Sequence, residues 1–154
     1  MARRLTERAR SERGFTLIEI LVVILVIGIL AAIAIPIFLG SRNKGYDADA
    51  KSNARNLVSE VESCYTPNED FTQCDSQAEL GEYADGVDYG SSPGQVEVQN
   101  ATKNSFDVVA TSKSDTNGVY HVFTISRNVV SGANDRTCTT GGSNNDGGCQ
   151  HGSW

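Results

Sequence analysis

The chain has 154 residues and a formal net charge of −6, enough length for one domain and an appendage. Residues 1–14 carry five arginines and two glutamates, a net of +3, whereas residues 40–154 carry 8 Lys and Arg against 16 Asp and Glu, a net of −8. The acidic bulk argues against broad nucleic-acid binding, because that function needs Lys and Arg to neutralise phosphates.

Residues 1–14 form a short basic leader, and the segment that follows, residues 15–39, is apolar apart from Thr16 and Glu19. As a helix these 25 residues would extend about 37 Å, which is longer than the hydrocarbon core of a bilayer, at about 30 Å. Because a short basic flank tends to remain in the cytoplasm, we expect a cytoplasmic N-terminus and place the bulk of the chain outside the cytoplasm.

Two ordinary interpretations of the apolar segment leave Glu19 unexplained. A secretory signal peptide would be cut near Ala32-Ile33-Ala34, but the apolar run is long for such a signal and Pro36 follows the cut closely. A plain single-pass anchor accounts for the length and the arginines only. A lone acid costs about 2.5–3.5 kcal/mol near the centre of a membrane and less near its ends, so it usually has a partner. We therefore expect a partner for Glu19.

Beyond Pro36 the helical pattern resumes as an amphipathic segment, residues 40–65. Apolar side chains recur there at three- and four-residue spacing, with charged residues between them. If this segment is continuous with the apolar one, a single helix runs from Phe15 to about Tyr65, with an apolar half and an amphipathic half. That length exceeds the globular norm, so we expect something outside the domain to stabilise the apolar half.

The remainder of the chain, residues 66–154, is predicted to form a globular head. Residues 76–79, SQAE, have the form of a capping box, which predicts one short helix in the loop before the first strand. Three strands are predicted at 95–100, 105–112 and 119–127, where β-branched and aromatic residues lie between turn signals. Their close spacing favours an antiparallel meander with the amphipathic helix on one face, which is an α+β fold.

Four cysteines occur in the part of the chain expected outside the cytoplasm. Cys64 and Cys74 are ten residues apart, and Cys138 and Cys149 are eleven apart. Four cysteines allow three connectivities and the sequence does not choose among them, although the two local pairs are favoured because each closes a short loop. Each bridge would add roughly 2–4 kcal/mol. A zinc site is disfavoured, since no CxxC spacing is present. From residue 131 onward we expect a polar surface loop, held by its cysteines.

No constellation of reactive side chains is recognisable, so we expect neither an enzyme nor a cofactor or metal site. His121 lies in a strand of alternating character, where a surface or pairing role is expected, and His151 lies in the C-terminal tail. Neither a G-x-S-x-G elbow nor a phosphate-binding loop is present. Residues 143–147 partly resemble a calcium loop, but the ordered acids and the closing Glu of an EF-hand are missing.

Residues 13–19, RGFTLIE, followed by an apolar run, resemble the class III signal of type IV pilins and related pseudopilins. The resemblance implies that a prepilin peptidase on the cytoplasmic side cuts after Gly14 and methylates the new amino terminus, which is Phe15. It also implies that Glu19 and Thr16 serve filament assembly, with Glu19 pairing with the amine of a neighbouring subunit.

Gly28 and Pro36 match two further positions of that family. The resemblance implies that they flank the part of the helix that loses regular structure inside assembled filaments. More ordinary roles are compatible with this one, since Pro36 removes a backbone donor and kinks a helix, and Gly28 is a small packing residue.

The resemblance further implies a pilin-like fold, with the long helix packed on a small antiparallel sheet and a disulfide-bounded C-terminal loop. The partners would be further copies of the chain in a helical filament, prepilin peptidase, the pilus assembly machinery and, before assembly, the cytoplasmic membrane. We expect a major pilin, whose extracellular pilus supports attachment, motility or DNA uptake. The alternatives are a type II secretion pseudopilin and a minor or competence pilin. From another class, a membrane-tethered enzyme or binding domain would keep its leader and carry a concave reactive site.

Overall fold

The computed structural model describes residues 14–84, 86–142 and 146–154. All of the predicted leader except Gly14 lies outside these residues. The chain divides into two units, with the boundary between Phe38 and Leu39. One long helix, α1 (Leu17–Asn68), contributes to both units.

Before the boundary, the described chain consists mainly of the apolar part of α1. The large apolar side chains of residues 15–38 are all exposed, by between 47% and 83%. The helix runs without interruption through Gly28 and Pro36. The expected loss of helix between these two residues concerns assembled filaments and stays a prediction. By its length and composition, α1 is able to span a membrane.

After the boundary, α1 is amphipathic, as its residue pattern predicts. Its buried side chains follow one another at intervals of three and four residues: Asp47, Ala50, Ala54, Leu57, Val61 and Cys64. Val58 and Tyr65, which also belong to the predicted stripe, are partly buried and pack against it. Since 3.6 residues complete a turn, this spacing keeps the buried stripe on one face of the helix. The helix ends at Asn68, close to the predicted end.

Four antiparallel strands form one sheet in the order β1-β2-β3-β4. Their bounds are β1 Val96–Gln99, β2 Ser105–Thr116, β3 Val119–Asn128 and β4 Ala133–Thr139. The first three strands confirm the predicted meander. Asn117 and Gly118 join β2 to β3, with φ of 55° and 77°. Asn-Gly is favoured at such a turn, because both residues take the left-handed conformation that matches the twist of the strands.

One face of the sheet and the buried stripe of α1 share a single core. Alternate residues of the strands point into this core: Val96, Val98, Phe106, Val108, Ala110, Phe123 and Ile125. Phe71, in the loop after α1, extends the core by stacking on Tyr65 at 4.0 Å and contacting Phe106 at 4.6 Å between ring centroids. The helix and the sheet therefore hold each other through apolar contacts, as predicted for an α+β fold of pilin type.

The fourth strand corrects the expectation of a surface loop from residue 131 onward. β4 pairs with β3 over its whole length. Only one of its seven residues, Cys138, is buried. A strand that buries one side chain lacks the apolar alternation by which strands are recognised, so the polar sequence ANDRTCT conceals it. The C-terminal loop begins only after Thr139.

The loops are held by two disulfides and a short capped helix. Cys64 is bonded to Cys74, with Cα atoms 6.0 Å apart, and Cys138 to Cys149, with Cα atoms 5.8 Å apart. These are the two local pairs that the spacing favours. The predicted short helix is present as α2 (Gln77–Leu80), capped by the side chain of the preceding serine. Single 3₁₀ turns occur at Phe71–Gln73, Gly81–Ala84 and Asp146–Gly148.

Candidate assembly segment

The segment that carries the sequence motif starts the long helix with a capping box. The backbone N–H of Glu19 donates a hydrogen bond to Oγ1 of Thr16 at 3.3 Å. In return, the Glu19 carboxylate accepts hydrogen bonds from the backbone N–H and the hydroxyl of Thr16, both at 2.8 Å. The T-x-x-E pattern of residues 16–19 therefore satisfies two backbone donors at the helix start.

Glu19 thus has hydrogen-bond partners within its own subunit. Its carboxylate also meets the positive end of the helix dipole. Its charge is not neutralised, since in the described part of the chain no cation lies within ion-pair distance of it. Thr16 and Glu19 have the same S/T-x-x-E spacing as Ser76 and Glu79. This cap could therefore have been predicted from the sequence once the apolar run is taken as a helix.

Gly14 and Phe15 precede the cap and are exposed. A Cβ atom built on Gly14 would meet no atom within 4 Å. Nothing in the described subunit therefore requires glycine at this position, and none of the described residues covers the peptide bond between Gly14 and Phe15.

Gly28 opens a shallow apolar groove in the exposed part of α1. The groove is lined on its two sides by Leu21, Ile24, Leu25, Ile29 and Ala32. A Cβ atom built on Gly28 would meet no atom within 4 Å, so the subunit itself does not require glycine here. The lining residues follow the spacing of one helix face, and small residues on such a face allow another helix to approach closely.

In the head, a buried chain of hydrogen bonds joins α1 to the hairpin of β2 and β3. Nδ1 of His121 lies 3.0 and 3.1 Å from the two carboxylate oxygens of Asp47, and its Nε2 lies 2.9 Å from Oγ1 of Thr116. Both Asp47 and His121 are buried. A pairing role for His121 is one of the two expected from the sequence, and its partner was missed. Its burial could have been predicted from its position, since His121 lies two residues before the buried Phe123 and therefore on the same face of β3.

This chain of groups has the order of a hydrolase triad, namely carboxylate, imidazole and hydroxyl. Catalysis would require the imidazole to face a substrate, but His121 is only 3% exposed. The adjacent cleft is lined by Asp47, Lys51 and Gly147 among others, but the imidazole of His121 is not part of its lining. We therefore assign the chain of hydrogen bonds a structural role.

The C-terminal loop closes over the same buried pair. Nζ of Lys51 donates to the carbonyl oxygen of Gly147 at 2.6 Å. Gly147 has φ of +60°, and a Cβ atom there would lie 2.6 Å from Oδ2 of Asp47. Only glycine combines this backbone conformation with so close an approach.

The described residues hold no group of three or more His, Cys, Asp or Glu side chains that is placed to bind a metal ion. The stretch that partly resembles a calcium loop, residues 143–147, lies largely outside them, because 143–145 are not described.

Comparison with known proteins bears on both the motif and the head. Residues 9–35 match the family model described as the prokaryotic N-terminal methylation motif. The chain is 37% identical over 94 residues to the type IV major pilin protein PilA of Myxococcus xanthus, a match that covers 58% of this chain and 42% of that protein. It is 32% identical over 113 residues to a fimbrial protein of Pseudomonas aeruginosa, covering 66% of this chain and 69% of that protein.

A shorter match connects the chain to a secretion protein. It is 51% identical over 37 residues to the type II secretion system core protein G of Klebsiella michiganensis, covering 24% of this chain and 26% of that protein. The chain spans less than half the length of the Myxococcus pilin and more than two thirds of the Pseudomonas fimbrial protein. The pilin relatives are structural subunits and not enzymes. With a prepilin motif, a long helix on an antiparallel sheet and these matches, the chain belongs to the type IV pilin family.

Proposed function

We propose that this chain is the major subunit of a type IV pilus, an extracellular filament that supports attachment, motility or DNA uptake. The observation that carries the proposal is the exposure of every large apolar side chain in residues 15–38. Such a surface is stable only in lipid or against other apolar helices. The proposed subunit meets both conditions: its apolar helix lies first in the lipid of the cytoplasmic membrane and later against the apolar helices of other subunits.

Processing precedes assembly in this proposal. Residues 1–14 hold the N-terminus in the cytoplasm through their arginines. Prepilin peptidase then cuts after Gly14 and methylates the new amino terminus of Phe15. Gly14 has no packing role in the described subunit. This supports the proposal that the glycine serves recognition by the peptidase.

Cleavage creates a cation beside the helix cap. The amine of Phe15 then lies one residue before Thr16 and about one helical turn from Glu19. As the pilus assembly machinery adds a subunit, its Glu19 pairs with the amine of Phe15 in a neighbour. An unpaired charge at low dielectric is costly, so this pair aligns the subunits in register. Residues 15–39 then form the filament core, while residues 40–65 and 66–154 build the exposed head.

A type II secretion pseudopilin is the second candidate, favoured by the high identity of the short match to core protein G. The pilin matches extend over 94 and 113 residues, against 37 to 53 for core protein G. An alignment of 94 residues is longer than residues 1–65, which hold the leader and both parts of the long helix, so it necessarily includes residues of the head. This extension supports the pilin.

The test is the mass of the N-terminal peptide in protein sheared from cells. We expect a peptide that begins at N-methylated Phe15, in a chain that dominates the sheared material. A peptide that begins at Ile35 would mean secretion after an ordinary signal peptide, and an intact leader would mean a tethered protein. Either result overturns the proposal. A processed chain that stays in the membrane and is absent from sheared material would favour the pseudopilin.

A further inference from the structure

Three cations surround one aromatic ring at the β4 edge of the sheet. The guanidinium carbons of Arg55 and Arg136 lie 5.0 and 5.3 Å from the ring centroid of Trp154. The ammonium nitrogen of Lys51 lies 5.5 Å from the same ring. We call Lys51, Arg55, Arg136 and Trp154 the cationic cluster. Contacts between cations and an aromatic face are attractive, but they leave the net positive charge in place.

No carboxylate neutralises the cationic cluster within the part of the chain that the structure describes. The ion pairs found there include none of its members. The carboxylate of Asp47, whose charge acts on Lys51, is already bonded to His121 in the core. Arg55 and Arg136 therefore present uncompensated positive charge, in a head whose overall charge is negative.

Tyr89 joins the two segments that carry the acidic residues Asp75, Glu79 and Glu97, since its hydroxyl donates to the backbone carbonyl oxygen of Asp75 at 2.6 Å and accepts from the backbone N–H of Val98 at 3.2 Å. Burial raises the pKa of Tyr89, and the negative charges of Asp75, Glu97 and Glu79 raise it further. Burial likewise raises the pKa of Asp75, and a hydrogen bond to Glu79 and the charge of Glu79 add to this effect. We call Asp75, Glu79 and Glu97 the acidic cluster. Among the described residues, no cation lies within ion-pair distance of it.

One member of each cluster belongs to an outer strand of the sheet. Arg136 is a residue of β4, and in the same strand the backbone N–H of Cys138 donates to the carbonyl oxygen of Gly152 at 2.8 Å. This bond holds the segment that leads to Trp154 along the β4 edge. The cationic cluster therefore lies at that edge.

The acidic cluster lies at the opposite edge. Glu97 is a residue of β1, and the backbone N–H of Val98 in that strand donates to Oη of Tyr89 at 3.2 Å. β1 and β4 are the two outer strands. Three interstrand spacings of about 4.8 Å put them about 14 Å apart, so the two clusters do not meet within one subunit.

We propose that, in the filament, the cationic cluster of one subunit docks on the acidic cluster of a second copy. This inference rests on the proposed function and names the head surfaces that it would use. Complementary patches on opposite edges of one sheet make a head-to-tail contact, and such a contact repeats without closing, as a helical filament requires. A second copy fits the cationic cluster better than an unrelated acidic ligand, because each copy supplies both patches in equal number. Charge complementarity would also exclude registers that bring like charges together.

Charge reversal tests the contact in cells that make only the altered full-length chain. Arg136→Glu and Glu97→Lys are each expected to lower the yield of sheared filaments about tenfold or more. The double variant is expected to recover about half or more of the wild-type yield, because it exchanges the two charges. Lys103→Glu is the matched control, since it makes the same change at an exposed site outside both clusters, and it is expected to leave the yield unchanged.

The amount of processed chain in the membrane and the absence of free thiols after denaturation show that a variant is made and folded. Wild-type yield from either single variant overturns the inference, and so does a double variant that assembles as poorly as the single ones. If Arg136→Glu keeps its filaments but no longer binds a DNA oligonucleotide, the occupant is nucleic acid and the inference is likewise wrong. In all these cases, a methylated Phe15 peptide in sheared wild-type material would still support the proposed function. Its absence would overturn the proposed function as well.

Cross-linking provides a measurement that needs no loss of assembly. Sheared filaments of Arg136→Lys are treated with a carbodiimide, which joins an amine to a carboxylate only where the two are in contact. We expect an amide between residue 136 and Glu97 or Glu79, which must join two subunits because the edges lie about 14 Å apart in one sheet. Cross-links from residue 136 to other carboxylates only would overturn the inference.

Discussion

Replacing Glu19 by glutamine separates the two properties of this residue, its hydrogen bonds at the helix start and its charge. Glutamine keeps an oxygen that accepts the two hydrogen bonds from Thr16, each 2.8 Å long in the wild-type chain. Glu and Gln both serve at this position of a capping box. Glu19→Gln therefore keeps the cap and removes the charge. Thr16→Ala is the matched control, because it removes the capping hydroxyl and keeps the charge of Glu19.

The two variants differ in the expected loss of affinity between subunits by more than tenfold. If Glu19 pairs with the Phe15 amine of a neighbour away from water, its loss leaves a buried charge unpaired, which costs about 3–5 kcal/mol. At about 1.4 kcal/mol for each tenfold change, the affinity between subunits falls at least about a hundredfold. Loss of the capping hydroxyl costs about 1 kcal/mol, or roughly fivefold.

The assay is the yield of sheared filaments, normalised to the cleaved and methylated chain in the membrane. Glu19→Gln and Glu19→Ala are expected to insert and to be cleaved normally but to give few or no filaments, whereas Thr16→Ala is expected to lose no more than about fivefold. Wild-type filament yield from Glu19→Gln would refute the pairing of charges and leave Glu19 as a helix cap. Normal piliation of Glu19→Ala would show that assembly needs neither the charge nor the cap of Glu19.

Gly28→Ala is expected to leave cleavage and membrane level unchanged, because its methyl group meets no atom of the subunit, and to lower filament yield by keeping a neighbouring helix away; an unchanged yield would contradict that role. Asp47→Ala is expected to lower the free energy of unfolding by about 3 kcal/mol, since it leaves the buried His121 without its partner. Urea unfolding of the detergent-solubilised chain measures this, with the exposed Asp49→Ala as control. Cys138→Ser with Cys149→Ser is expected to cost about 2–4 kcal/mol in the same assay. Hydrogen bonds from the side chain and backbone of Thr72 hold the pKa of Asp70 below its ordinary value of 3.8. At about pH 4 and just below it, the unfolded chain binds more protons at this carboxylate than the folded chain does. The stabilisation is therefore present above about pH 4 and is lost on further acidification. Asp70→Asn should therefore lose less stability than the wild-type chain between about pH 5 and about pH 2.

Elements with one well-buried face were predictable from sequence. The stripe from Ala50 to Val61 repeats with the period of a helix, and β3 alternates with the period of a strand, so a local pattern is enough to recognise each. The N-terminal motif was equally local, because its seven residues, 13–19, are consecutive in the sequence. The capping boxes at Thr16 and Ser76 follow the same rule.

Features that depend on pairing between distant segments were not predictable in this way. β4 is held by its pairing with β3, and its own side chains carry almost no apolar signal. Asp47 and His121 are 74 residues apart, and nothing near either one identifies the other. The cationic cluster likewise brings together α1, β4 and the C-terminal loop. Such contacts follow from topology, which one sequence without aligned relatives does not determine.

The capping box also explains how cleavage and assembly are coupled under the proposed function. Before assembly, the carboxylate of Glu19 has hydrogen bonds from Thr16 and lies near the end of the membrane segment, where a lone acid costs less than at the centre. Its hydrogen bonds are satisfied and its charge is not, so what it still lacks is a cation. An uncleaved chain has only a peptide N–H at Phe15, so the amine on which this pairing depends does not yet exist. Cleavage after Gly14 supplies that cation, so a filament built on this pair admits processed subunits and rejects unprocessed ones.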